Sequence, residues 1–172
     1  MHPIYRFEIE VTAKDVDRNG HVNNVVYIQW MQDAAVAHAH ASGCTEASRA
    51  AGATWVVRTH QIEYLSPAFA GDKLALLTWP SNFQRVRSLR KYKFIREKDE
   101  AVIARAETDW VFVNAKTGRP QSIPAEVKNT LPVVSKFSGW ASRLFFCRSV
   151  TSCEKLGPLA GWSDGSPCPC RK

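Results

Sequence analysis

One long helix precedes a series of strands in this sequence, and that order limits the folds open to the chain. Residues 25–41 contain neither Gly nor Pro. Residues spaced three or four apart form one stripe along this predicted helix: Tyr27, Ile28, Met31, Ala34, Ala35 and His38. Further apolar residues flank the stripe, so we expect the helix to be largely buried. A long apolar helix with no helical partner of similar length needs a sheet to pack against.

Strands are predicted where apolar and polar residues alternate. One such segment, residues 4–12, precedes the helix. The others follow it, at residues 54–65, 73–79, 86–96 and 101–114, with short helices at 45–51 and 124–128. Strands of about ten residues exceed the usual length of about 5–6, which favours a strongly curved sheet. We therefore predict an α+β fold in which a long antiparallel β-sheet wraps around a central α-helix.

The composition changes near residue 135, which predicts a domain of residues 1–135 followed by a tail of residues 136–172. Of the 23 basic and 16 acidic residues, 17 and 14 lie up to that point, so more than half of the net charge of +7 belongs to the tail. Four of the five cysteines also lie there, which leaves Cys44 as a thiol expected to be reduced. The tail lacks periodicity, and we predict that it is mostly irregular or disordered.

Several classes of function are disfavoured by what the sequence lacks. No stretch reaches the roughly 18 apolar residues of a membrane span, and the first residues do not resemble a secretion signal, so a cytoplasmic location is expected. No nucleic-acid-binding motif, metal-ligand spacing or glycine-rich nucleotide loop is present, so we expect no nucleic-acid partner, metal or cofactor. The G-x-S-x-G pattern at residues 161–165 has no His after it and is interpreted as coincidental.

The polar segment just before the long helix holds the densest cluster of reactive side chains. It includes Asp17, Asn19 and His21, which an extended backbone would direct to the same side. The first amides of the helix lie beside them, where unpaired N–H groups and the helix dipole favour negative charge. A carboxylate next to such donors suits acyl transfer or water activation. Alternatively, Asp17, Asn19 and Asn23 only cap the helix and shape a turn.

The same segment resembles the active-site motif of hotdog-fold acyl-CoA and acyl-carrier-protein thioesterases. These enzymes, which are related to the 4-hydroxybenzoyl-CoA thioesterases, carry the pattern D-x-N-x-H-V-N-N-x-x-Y. Residues 17–24 followed by Tyr27 match it, and the turn at residues 69–72 before a strand also fits the family. The resemblance covers about residues 4–133. It implies a hotdog fold whose active sites lie between the subunits of a homodimer or homotetramer.

The resemblance also implies roles for individual residues. Asp17 is expected to act as nucleophile or general base, with Asn19 and His21 as polar partners and the amide of Asn24 as oxyanion donor. Two further residues are expected to contact the substrate, an acyl-CoA or acyl-carrier-protein thioester: Asn23 and Tyr27. Some relatives place the catalytic carboxylate on the central helix instead. Asp33 is the candidate for that role here, but it lies on the polar face of the predicted helix, which favours solvation.

A basic stretch at residues 85–98 is the second candidate binding region. Arg87, Arg90 and Lys91 are candidates to bind the phosphates of CoA or of a phosphopantetheine arm. The commoner alternative is a solvated strand surface.

Two other functions stay open beside thioester hydrolysis. One is an acyl-thioester dehydratase or hydratase on the same fold, although its motif D-x-N-P-x-H sets Asp and His one residue farther apart and has Pro where Gly20 stands. The other is a non-catalytic acyl-CoA-binding protein.

Overall fold

The computed structural model describes residues 3–134, which form five β-strands and three α-helices. The strands and helices, in chain order, are β1 Tyr5–Glu10, α1 Asn24–Ala41, α2 Cys44–Ala50, β2 Ala53–Tyr64, β3 Lys73–Phe83, β4 Arg87–Arg96, β5 Val102–Asn114 and α3 Ala125–Thr130. The predicted tail of residues 136–172, including the G-x-S-x-G pattern, lies outside the described residues. In the described part, no helix has the length and apolarity needed to cross a membrane.

The strands form one antiparallel sheet in the order β1-β3-β4-β5-β2. Side chains alternate between its two faces, and the inner face packs on α1. Phe94 of β4 and Leu76 of β3 lie on that inner face, where they meet Tyr27, Met31 and other helix residues in the core. The predicted sheet wrapped around a central helix, a hotdog fold, is confirmed.

The long helix begins and ends where local chemistry requires. Asn23 is the N-cap, and its side-chain oxygen accepts a hydrogen bond of 3.0 Å from the amide of Val25. At the other end, Gly43 adopts a φ of 77°, a left-handed conformation that glycine reaches without strain, and its amide donates to the carbonyl of His40. The helix therefore occupies 24–41, almost the range that its periodicity predicts.

The expectation that α1 is buried over most of its circumference is wrong for the single chain. The helix buries one face, formed by Tyr27, Trp30, Met31, Ala34, Ala35 and His38. Val25 and Val36 lie on the opposite side and are 68% and 59% exposed. They are 11 positions apart, about three turns, so both project from the same exposed face.

Strand β3 continues beyond the predicted end at Trp79. Pro80 lies inside the strand, and the register with β4 shifts between Pro80 and Asn82. Proline has no amide to donate to the ladder, and strands tolerate it where such a bulge interrupts the pairing. The predicted strand is too short because proline usually ends a strand.

Candidate functional site

The polar segment before α1 forms a tight turn whose base is held by backbone bonds. The carbonyl of Asp15 accepts from the amide of Asn23 at 2.8 Å, and Val16 bridges Val22 as in a short antiparallel pair. The amide of Val22 also donates to the carbonyl of Ala68 at 2.9 Å, which ties the segment to the loop before β3. These bonds hold the turn directly before the first residue of the helix.

Residues 17–21 are folded back, so the expectation of an extended backbone here is wrong. The amide of Asp17 donates to the carbonyl of His21 at 2.9 Å, and the amide of Gly20 donates to the carbonyl of Asp17 at 3.1 Å. Gly20 permits this reversal because its φ is 82°. The polar side chains of the segment are nevertheless near one another, as expected, because the backbone turns back.

Asp17 is the centre of the group that the turn assembles. Its Oδ1 accepts the backbone amide of Asn19 at 2.8 Å, and its Oδ2 lies 3.3 Å from the side-chain nitrogen of Asn19. The Nδ1 atom of His21 is 3.9 Å from Oδ1, which is beyond hydrogen-bond distance but close enough for an electrostatic interaction. Asp17 is 26% exposed and His21 40% exposed, so a ligand can reach both from solvent.

The N-terminus of α1 places a free amide next to this turn. Asn23 uses its side-chain oxygen to cap Val25, so that oxygen is already engaged within the protein. The carbonyl of Asn24 accepts a hydrogen bond of 3.3 Å from the Tyr64 hydroxyl. The amide of Asn24 has no partner among the described residues, as expected for the first residue of a helix.

Tyr27 is part of the core. Its ring packs edge-on against Trp30, Tyr64 and Phe94 at centroid distances of 5.1–5.5 Å. Burial, followed by the neighbouring Tyr64, raises the pKa of Tyr27 to about 12, so it is neutral at physiological pH. Within the chain, Tyr27 stabilises the first turn of α1 through these core contacts.

The three basic candidates on β4 do not form one surface. Arg87 and Lys91 share the outer face of the sheet, and Arg87 Nη1 donates to Asp109 at 3.0 Å. Lys91 is exposed opposite Glu107. Arg90 points to the inner face, where it is 6% exposed and bonds His38 and Thr78. The alternation of side chains along a strand separates them.

Two other expectations concern Asp33 and metal ligands. Asp33 is exposed and accepts a hydrogen bond of 2.9 Å from Gln29, which places it on the solvated face of α1. Within residues 3–134, no three His, Cys, Asp or Glu side chains are grouped so as to hold a metal ion. Asp17, by contrast, is a partly exposed carboxylate beside the N-terminus of α1.

The buried pairing of Arg90 with His38 was missed by sequence reasoning. A signal was present in both elements: His38 ends the apolar stripe of α1, and Arg90 is two and four residues from Tyr92 and Phe94, so it shares their face of β4. A charged residue at an inward position of a strand indicates a buried polar group.

Comparison with known proteins identifies the family. A model of the thioesterase-like superfamily matches residues 11–131, so the chain belongs to this superfamily and is a thioester hydrolase. No curated protein sequence matches it.

Solved structures share the fold. The 1,4-dihydroxy-2-naphthoyl-CoA thioesterase Slr0204 from Synechocystis is 17% identical, with a TM-score of 0.67 over 74% of this chain and 95% of that one. YbaW, a probable thioesterase from Escherichia coli, is 22% identical, with a TM-score of 0.69 over 74% and 96%. The hypothetical protein SAV2348 from Staphylococcus aureus, solved in complex with CoA, is 18% identical, with a TM-score of 0.67 over 74% and 80%.

Proposed function

We propose that the protein hydrolyses acyl-CoA thioesters, with Asp17 as the catalytic carboxylate. The observation that carries this proposal is the turn that directs two Asn19 donors to Asp17 directly before the free amide of Asn24. The CoA bound to the S. aureus relative supports CoA as the thiol part of the substrate.

The proposed chemistry uses the two polar ends of this arrangement differently. Asp17 either attacks the thioester carbonyl carbon or removes a proton from the water that attacks it. In both routes the carbonyl electrons move to oxygen, and the Asn24 amide and the helix dipole stabilise the oxyanion. The oxyanion then re-forms the carbonyl as the C–S bond breaks, and the thiolate of CoA leaves and takes up a proton. When Asp17 is the nucleophile, this leaves a mixed anhydride on Asp17, which water hydrolyses to the free acid and the Asp17 carboxylate.

Asn19 and His21 are assigned to positioning and electrostatics. The Asn19 donors fix both oxygens of Asp17, which limits rotation of the carboxylate. His21 lies at 3.9 Å, where its protonated form would stabilise the charge of Asp17. Of the three basic candidates on β4, Lys91 is the exposed one, and we assign it to contact the CoA phosphates.

The test is release of free CoA thiol from acyl-CoAs of different acyl groups, followed with a thiol reagent. We expect Asp17→Asn to lower kcat/KM by about 10²–10⁴-fold, the usual effect of removing a catalytic acid–base group. Asp33→Asn, an isosteric change on the solvated face of α1, is the matched control and should leave the rate unchanged. Full activity of Asp17→Asn would refute the assignment. Enoyl absorbance changes without thiol release would indicate a dehydratase. Binding of acyl-CoA with neither effect would indicate a non-catalytic acyl-CoA-binding protein.

We also propose that the working unit is at least a homodimer. Strand β2 spans 12 residues, and its outer edge is unpaired among the described residues. Val56 and Tyr64 on that strand are 42% and 43% exposed, and Val25 and Val36 form an exposed apolar face on α1. An unprotected strand edge of this length is a template for pairing with a second chain.

Light scattering after size exclusion tests the dimer. Val56→Lys puts a charge on the free edge and should yield a monomer. Val133→Lys, at a valine of similar exposure outside the sheet, should leave the mass unchanged. A dimeric Val56→Lys variant would show that the interface lies elsewhere.

A further inference from the structure

A cavity of about 440 Å³ lies between the second half of α1, helix α2 and the inner face of the sheet. Its walls are mainly apolar and include Ala35, Ala39, Trp55, Phe83 and Trp110. Three lining residues are exposed in the single chain: Val36, Arg49 and Thr54. No lining residue belongs to the Asp17 turn or to the first half of α1. The volume is in the range of small-molecule sites.

Arg90 brings a buried positive charge to the wall of this cavity. Its Nη1 atom donates to His38 Nδ1 at 3.1 Å and to Thr78 Oγ1 at 3.2 Å. No carboxylate among the described residues forms an ion pair with it. Burial lowers the pKa of Arg90, and the groups that oppose this are Tyr92 and Cys44. A guanidinium nevertheless stays protonated in proteins.

His38 does not offset this charge. A guanidinium can only donate, so His38 Nδ1 accepts and the ring proton resides on Nε2. Burial, followed by Arg90, lowers the pKa of His38 to about 4, so the ring is neutral at physiological pH. Its Nε2 is buried without a hydrogen-bond partner among the described residues. The cluster therefore holds one net positive charge.

Two more polar groups lie near the guanidinium. The Trp110 indole N–H and the Tyr92 hydroxyl are buried and have no partner in hydrogen-bond geometry in the described part of the chain. Burial raises the pKa of Tyr92, while the nearby Arg90 and then the Thr108 hydroxyl and the Trp110 indole lower it. Trp110 also lines the cavity.

An unpaired buried charge is unfavourable, and a matching anion removes much of that cost. A neutral hydroxyl would leave the charge uncompensated, and a free phosphate has no apolar part to cover the aromatic walls. We propose that this cavity binds a carboxylate with an apolar body, whose carboxylate pairs with Arg90 while its body lies against Trp55, Phe83 and Trp110. Planar guanidinium and carboxylate groups match in geometry, which strengthens the pair.

Such a ligand has two sources, and both rest on the proposed function. The free acid released by hydrolysis has this chemistry, and so does an acyl thioester whose far end carries a second carboxylate. Both place the same group at Arg90.

Binding is measured directly through tryptophan fluorescence, because Trp55 and Trp110 line the cavity. We expect decanoate to bind the wild-type protein at least tenfold more tightly than decanol, and inorganic phosphate not to compete. Arg90→Leu should abolish the preference for decanoate. Arg105→Leu, the same change at an exposed arginine on β5, should retain it. Equal binding of decanoate and decanol by the wild-type protein, or an unchanged preference in Arg90→Leu, would overturn the proposal.

A second variant keeps the test valid if Arg90→Leu does not fold. Ala39→Phe fills the cavity from α1 without altering Arg90 and should weaken decanoate binding at least tenfold. Unchanged decanoate binding by Ala39→Phe would refute the cavity as its site.

Hydrolysis then separates the two sources. If the CoA monothioester of decanedioic acid has a higher kcat/KM than decanoyl-CoA, and Arg90→Leu loses this difference, the carboxylate that binds Arg90 is the far end of the substrate. If decanoate inhibits acetyl-CoA hydrolysis but the two thioesters are hydrolysed equally well, the ligand at Arg90 is the free acid. Neither effect, together with no fluorescence change, would overturn the proposal. Because fluorescence needs no turnover, failure of the hydrolase assignment would be recognised separately.

Discussion

The two ends of α1 carry polar groups of opposite character. At the N-terminus, a turn of five residues exposes the Asp17 carboxylate and satisfies it with local donors. Toward the C-terminus, Arg90 and His38, 52 residues apart in sequence, form a buried pair with an unneutralised positive charge. The first group needs little stabilisation from the fold and is accessible to substrate. The second destabilises the fold and is sensitive to protonation. We therefore expect changes in the turn to affect activity more than stability, and changes in the buried cluster to do the reverse.

The largest effect on stability should come from acidification of the buried cluster. The pKa of His38 is about 4 in the folded protein and about 6.5 when it is unperturbed. Because the folded-state pKa is lowered, the stability contributed by neutral His38 is complete above about pH 6.5 and is lost as pH falls toward 4. The loss is about 3 kcal/mol in the free energy of unfolding. Urea unfolding at pH 7.5 and 4.5 measures it.

His38→Gln should remove this part of the pH dependence, since the amide oxygen can accept from Arg90 without titrating. His40→Gln, two residues away on an exposed side chain, should behave like the wild-type protein. An equal pH dependence in His38→Gln and the wild-type protein would mean that the cluster does not titrate.

The second prediction tests whether the turn is held for activity. Gly20 has a φ of 82°, and the space that an alanine methyl group would occupy there is open, so Gly20→Ala costs backbone strain of about 1–2 kcal/mol and no steric clash. We expect the turn to relax, displacing Asp17, and kcat/KM to fall at least tenfold. Thiol release and urea unfolding are measured together.

Gly118 provides the control for that strain. It has a φ of 69° with similar open space, in the turn that follows β5. Gly118→Ala should cost a similar free energy and leave kcat/KM unchanged. If both variants lose activity equally, the effect is general destabilisation and the turn has no special role.

The third prediction concerns the helix cap between the turn and the helix. Asn23→Ala removes the acceptor for the Val25 amide and should lower the free energy of unfolding by about 1 kcal/mol. Asn23→Ser keeps an oxygen at the cap and should lose much less. Chemical denaturation distinguishes them, and equal stability of the alanine and serine variants would argue against a capping role.

The smallest effect is expected at Arg87, the partly exposed counterpart of Arg90. Its pair with Asp109 at 3.0 Å is partly solvated, so Arg87→Gln should cost only about 0.2–1 kcal/mol. High salt should remove the difference from the wild-type protein, because ions screen exposed charges. A larger loss that persists at about 1 M NaCl would show that Arg87 is structurally more important than its exposure suggests.

Prediction from the sequence succeeds where interactions are local. The bounds of α1 follow from its apolar spacing, from the Asn23 cap and from Gly43. The polar cluster identifies the segment from Asp17 to Asn24 as the candidate site, although its backbone turns back where an extended path is expected. The roles of Asn19, His21 and Asn24 stay predictions. Strand β3 is longer than predicted, because Pro80 is tolerated only by a bulge that pairing with β4 creates.

The sequence by itself determined the elements, their order and the position of the polar turn, because helix periodicity, strand alternation, capping and the φ of glycine act within a few residues. The tertiary structure decided which faces meet. It placed Arg90 against His38 beside a cavity and left Val25 and Val36 exposed. These outcomes depend on contacts between residues distant in sequence, and local preferences along the chain do not specify them.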